Sequence, residues 1–151
     1  MKRLLLLLII PTISYSQMGF LSHDDLMGIN SQETFKRVLI ENGYEFYSKT
    51  DTLINYGYDI TSYNREKFSD HWVSYYKITG GFVVSYELKP LQSIYDYMVS
   101  TIKKKCVYYD ITQVNEHDFV CYFCSNSKYS GKIGYSVMNG MGTIIHFPKE
   151  E

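Results

Sequence analysis

The chain has 151 residues, 45% hydrophobic and 17% aromatic, with a formal net charge of −1. That apolar content argues against disorder, and the charge argues against nucleic acid, whose phosphates need a basic surface to release their counterions. The length is that of one domain.

The first seventeen residues read as a secretory leader. Lys2 and Arg3 form a positive start, Leu4 to Ile10 an apolar run, and Ser14-Tyr15-Ser16 places small residues at the −3 and −1 positions of a cleavage site. The run is too short to span a bilayer, which needs roughly 20 apolar residues. Residues 1–16 are therefore expected to be a signal peptide, and 17–151 a single exported α+β domain, periplasmic or extracellular. Losing Lys2 and Arg3 moves the net charge to −3. No later stretch approaches spanning length, so no membrane span is expected in the mature chain. No cysteine adjoins the cleavage site to carry a lipid anchor.

Leu26, Met27 and Ile29 form a short lead-in. A helix is expected next, with Asn30 as its cap, Glu33 three residues on, and Gly43 as its stop. Phe35, Val38 and Leu39 give it one buried face. Strands follow at 44–48 and 53–60, then a polar loop at 61–70. A hairpin turning on Gly80-Gly81 sets Thr79 opposite Phe82, Tyr75 opposite Tyr86 and Val73 opposite Leu88. Pro90 can open a second helix, whose stripe is Leu91, Ile94, Tyr95, Met98, Val99 and Ile102. Lys103 to Lys105 close it, where positive charge suits the helix dipole. Four more strands are read at 106–111, 118–124, 132–138 and 141–147, the last two flanking the turn Asn139-Gly140. Residues 31–89 and 90–148 thus repeat one pattern, a helix followed by four strands. The expected fold class is α+β, two helices packed on antiparallel sheet.

Three cysteines lie in a compartment that permits disulfides. Cys121-x-x-Cys124 lacks the helix N-terminus that stabilises a redox thiolate and the second pair a structural zinc site wants. If 106–111 and 118–124 pair symmetrically about Asn115, Cys106 lies opposite Cys124, at about the 4.5–5.5 Å Cβ separation of facing residues. We expect a Cys106–Cys124 disulfide and a buried free thiol at Cys121.

Asp70-His71 and His117-Asp118 are the pairs that suggest general-base chemistry. Neighbours in a strand point to opposite faces, however, so adjacency does not make a dyad. His23-Asp24-Asp25 could touch a divalent metal, but a run of residues is not a convergent ligand set. No catalytic residue, metal or cofactor is assigned.

The leader, ending Ser-Tyr-Ser-Gln, resembles signal peptides of the Bacteroidetes kind. Met27-Gly28-Ile29-Asn30-Ser31, with Phe35-Lys36-Arg37-Val38 and Ile40-Glu41-Asn42, resembles uncharacterised small secreted proteins of such bacteria. That resemblance covers the leader and first helix and implies no known activity. In architecture, the doubled pattern is similar to secreted β-lactamase-inhibitor-like proteins, an analogy of fold that carries no function.

The expected function is binding: an exported cell-envelope interaction protein, not an enzyme, whose partner is an unknown protein or envelope ligand. If helices cover the face holding Val84 and Phe123, the opposite face presents Trp72, Tyr76 and Ile78, with Tyr108 and Tyr122 beside the disulfide. Rigid aromatics on a stiff sheet suit recognition. The alternatives are a small envelope hydrolase or metal-dependent enzyme using His71 or His117 with nearby aspartates, and an envelope component that oligomerises through sheet edges.

Overall fold

In the computed structural model, residues 19–64, 66–78, 81–88 and 92–148 are described. The leader, Gly80 and Pro90 lie outside them. Short polar caps start the first two helices. Ser22 accepts the N–H of Asp25, whose carboxylate takes the N–H of Ser22 in return; this box opens α1 (His23–Met27), where only a lead-in is expected. Ser31 and Thr34 make the same exchange at α2 (Gln32–Glu41), so the cap is Ser31 and not Asn30, with Thr34 in the role expected of Glu33. Gly43, at φ +80°, reverses the chain after α2.

The strands are β1 (Glu45–Lys49), β2 (Leu53–Tyr58), β3 (Thr61–Tyr63), β4 (Glu66–Phe68), β5 (His71–Ile78) and β6 (Gly81–Leu88). After α3 (Gln92–Lys105) come β7 (Val107–Val114), β8 (His117–Ser125), β9 (Ser130–Met138) and β10 (Met141–Pro148). Eight of them form one sheet in the order β1-β2-β5-β6-β10-β9-β8-β7, and each neighbouring pair is antiparallel. Two four-stranded runs therefore meet at β6 and β10. The expected loop at 61–70 contains the separate β3–β4 ribbon.

The fold class read from sequence needs correction. The molecule is mostly β, with three short helices making up about 23% of it, rather than two helices layered on a sheet. A helical stripe is visible in sequence, but its weight against a continuous eight-stranded sheet depends on pairings between strands far apart in the chain.

Register corrects the first hairpin too. Val73 faces Tyr86 and Tyr75 faces Val84, two residues away from the expected partners, because Ile78 pairs with Gly81. A slip of two leaves every side chain on its face, since the strand period is two. Asn139-Gly140 does make a tight turn, with φ +51° and +76°, between Met138 and Met141.

All three helices lie on one face of the sheet. Phe35 of α2 packs its ring against Tyr56 and Tyr75, while α1 and α3 pack on β8, β9 and β10. Tyr95 of α3 sits where a Cβ on Gly142 would be, 2.3 Å from its ring, so only glycine lets the helix dock there. Tyr86, Leu88, Met98, Ile102, Ile133 and Ile144 are among the fully buried residues of this layer. None of the described helices is long and apolar enough to cross a membrane.

Two polar features sit inside this core. The Tyr44 hydroxyl donates to the Gly19 carbonyl at 2.8 Å, and the Tyr86 hydroxyl lies 3.3 Å from it and accepts the Leu21 N–H. Burial pushes the Tyr86 phenol up to about 12. This chain of hydroxyls ties the start of the domain to the sheet centre. His146 is 1% exposed, and neither ring nitrogen makes a hydrogen bond of good geometry among the described residues, although a weaker contact with the Leu26 backbone favours its charged form. Burial lowers its pKa to about 3.

Replacing Tyr86 with Phe leaves a buried N–H unsatisfied and should cost about 1–3 kcal/mol, measured by urea unfolding at pH 7. His146 is neutral when folded and protonates near 6.5 when unfolded, so the unfolded chain binds the extra proton. Stability should fall as pH drops from about 6.5 towards 3, by up to about 1.4 kcal/mol per pH unit. The same measurement on His146→Leu should show that component of the slope gone.

Candidate functional site

The face opposite the helices is covered by no described helix, its central side chains being buried by one another. One row of residues crosses all eight strands: Ser48, Asn55, Ser74, Ser85, Ile145, Gly134, Cys121 and Asp110. Its first half is polar. Ser74 donates to the Asn55 side chain at 2.7 Å, and Asn55 donates to Ser48 at 3.1 Å. Ile145 and Cys121 of its second half belong to a small buried apolar cluster with Val83 and Phe119, and Tyr76, Val114, Met138 and Phe147 pack around it. Gly134 makes room for Cys121: a Cβ there would lie 2.6 Å from the sulfur.

A cavity of about 230 Å³ opens on this face. Thr52 and Tyr76 from one half of the sheet and Val114 and Phe119 from the other line it together, so the face is concave. On its floor Glu87 stands between Trp72 on β5 and Thr143 on β10. Burial raises the Glu87 carboxyl above the ordinary carboxylate range. No described basic residue forms an ion pair with it. The Tyr76 phenol is likewise raised by burial, with the charge of Glu87 adding to the effect and a hydrogen bond with Ser74 opposing it.

The five aromatic and aliphatic residues expected to form one surface are divided by the sheet. Trp72, Tyr76 and Ile78 lie on the uncovered face. Tyr122 packs against the helix-side core, and Tyr108 meets it edge to face at 5.8 Å. The face expected to hold both Val84 and Phe123 does not exist. Val84 pairs with His146 under the helices, whereas Phe123 lies on the open face beside Lys132. Alternation within each hairpin is legible in sequence, but the relative parity of the two halves is set by the β6–β10 register.

The disulfide is present, joining Cys106 and Cys124, and Cys121 is a buried free thiol. The register that aligns the pair has two compensating parts. The turn is Asn115-Glu116, with φ +46° and +65°, which shifts the pairing by one from symmetry about Asn115. A bulge between Tyr108 and Asp110 shifts it back, so Val107 faces Phe123. Burial raises the Cys121 thiol, which keeps it protonated.

The pairs that suggested catalysis do not converge. His71 is buried under the helices against Phe20 and Tyr86, and Asp70 is exposed. His117 and Asp118 are exposed at the start of β8, and His117 falls on the other face of the sheet.

A second constellation forms around His23, which is only 2% exposed. Its Nδ1 lies 2.9 Å from the Asp24 carboxylate, which also accepts from Lys105 at 2.8 Å and from the Tyr129 hydroxyl at 3.1 Å. Lys105 first, then His23, holds the Asp24 carboxyl well below the usual range. The other nitrogen, Nε2, faces the disulfide, 3.6 Å from Cys106 Sγ and 3.8 Å from Cys124 Sγ. A cleft of about 410 Å³, lined by Ser22, His23, Asp24, Tyr97 and Lys105, reaches this group from solvent. In the sequence His23 reads only as part of a run with Asp24 and Asp25. The signal that separates them is the Ser22–Asp25 capping box, which takes Asp25 to the helix start and turns His23 inward.

No protein-family model, curated protein or solved structure matches this chain.

Closing this loop should stabilise the fold by roughly 3 kcal/mol on the chain-entropy model. Alkylation of the unreduced, denatured protein should modify one thiol, Cys121, as read by mass spectrometry of its peptides.

Proposed function

We propose that this protein is an exported binding module of the cell envelope that takes its ligand on the uncovered concave face. The supporting observation is Glu87, a half-buried carboxylate that forms no ion pair among the described residues, Lys77 of the same cavity included, in a cavity whose lining also holds Val83, Phe119 and Ile145. Desolvating a carboxylate costs free energy unless an opposite charge is supplied. A ligand carrying a positive group on an apolar stem supplies it. The stem fits Val83, Phe119 and Ile145; the cation meets Glu87, with Tyr76 in the same lining for cation–π contact. An alkylammonium ion and a lysine side chain share this chemistry. The disulfide and the absence of a spanning helix among the described residues are compatible with export.

Trp72 is the only tryptophan, so its fluorescence reports this face. Titration with hexylammonium should change its emission in a saturable way, whereas hexanoate should not. Glu87→Gln should weaken binding at least tenfold and leave urea stability unchanged or raised. Because the Glu87 pKa lies above the ordinary value, wild-type affinity should decline as pH falls through that raised value, where the carboxylate takes up a proton. Equal binding of both ions, or full binding by Glu87→Gln, would contradict the reading.

A further inference from the structure

The His23 constellation is independent of the concave face and has a chemistry of its own. We propose that Cys106, Cys124 and His23 form a redox-gated zinc site, loaded when the disulfide is reduced and closed to metal when it is formed.

Three observations carry this. The donor atoms of the three residues lie within 4.8 Å of one another. The spacings from Nε2 to the two sulfurs, 3.6 and 3.8 Å, are close to the tetrahedral edge of about 3.5–3.6 Å implied by Zn–S of about 2.3 Å and Zn–N of about 2.0–2.1 Å. Finally, Nδ1 is held by the Asp24 carboxylate at 2.9 Å. With the proton on Nδ1, the Nε2 lone pair faces the sulfurs, and the carboxylate acts as the outer partner that metal-binding histidines use to fix their tautomer. Lys105 and Tyr129 hold that carboxylate in turn. Two thiolates and an imidazole suit zinc rather than calcium or magnesium, which take oxygen ligands.

The gating step balances. A dithiol reductant delivers two electrons and two protons to the Cys106–Cys124 bond, breaking it to two thiols while the reductant closes to its own disulfide. Zn²⁺ then displaces the two thiol protons, forming two Zn–S bonds and accepting the Nε2 lone pair. The product is a neutral zinc dithiolate with three protein ligands and a fourth position for water. Exchange with an oxidised dithiol, whose own disulfide takes up the two electrons and is reduced to two thiols, returns the Cys106–Cys124 bond and expels the ion. A cleft lined by His23 and Asp24 opens to solvent beside the imidazole.

The test uses the Cys121→Ala chain, which removes the unrelated thiol, with Co²⁺ as the probe. After reduction with dithiothreitol and its anaerobic removal, one Co²⁺ should bind per chain. It should show a thiolate-to-cobalt charge-transfer band in the near ultraviolet and the visible bands of a tetrahedral site, and Zn²⁺ should erase both. The disulfide form should bind none. Asp24→Asn keeps an acceptor but loses the charge, and should weaken Co²⁺ binding by about 10–100-fold; His23→Gln should weaken it further. Near-ultraviolet circular dichroism tracks folding throughout. A reduced chain that unfolds and regains its native signal with Co²⁺ supports the site, because metal binding is then coupled to folding. The proposal is overturned by absence of the charge-transfer band, by cobalt bound without a native signal, or by unchanged affinity in Asp24→Asn. Asp24 is exposed, so its variant decides the matter even if His23→Gln fails to fold.

Discussion

The pairing of β6 with β10 is the constraint on which the rest of the molecule depends. It joins two four-stranded runs into one sheet and does so at the centre, where Tyr86 faces Ile144 and Val84 faces His146. Strands alternate their side chains with a period of two, so this one register fixes which residues of each half share a face. With Tyr86, Ile144 and Ile133 on the same side, α2 from the first half and α1 and α3 against the second cover one continuous apolar layer. A shift of one residue at this seam would turn the second half over and expose half of the core.

From that asymmetry comes the chemistry of both candidate sites. The helix-covered face concentrates the buried aliphatic and tyrosine side chains, leaving the other face with a mixed row: hydroxyls and an amide on β1, β2, β5 and β6, and aliphatic and thiol groups towards β8. Curvature brings the two ends of this row around one cavity. Glu87 is there by parity alone. It lies in a strand whose alternate residues, Val84, Tyr86 and Leu88, all face the core, and its carboxylate must therefore project to the uncovered side, where its neighbours shield it from water without neutralising it.

The segment before α2 is held by polar contacts as much as by packing. Tyr44 and Tyr86 bind the backbone at Gly19 and Leu21, and α1 then places His23 beside the Cys106–Cys124 bond. This links the beginning of the domain to the end of α3 and to β8, regions about 80 to 100 residues away in sequence. The imidazole and the carboxylate come from one stretch and the two sulfurs from two others, and the long spacings between them form no motif.

What the sequence by itself determined was local. Apolar alternation marks eight long strands, helical stripes mark α2 and α3, and Asn139-Gly140 marks its turn, because each depends on residues within one or two turns of chain. The Cys106–Cys124 bond also belongs here, since a single hairpin sets the two sulfurs opposite each other, its turn offset and its bulge cancelling. Only the tertiary structure decided the mostly β class, the opposite placement of Val84 and Phe123, the separation of Trp72 and Tyr76 from Tyr108 and Tyr122, and the role of His23. Each of these depends on pairing across long loops. Closure of such loops carries an entropy cost that no local pattern encodes, and it is met by the burial of two distant faces against each other.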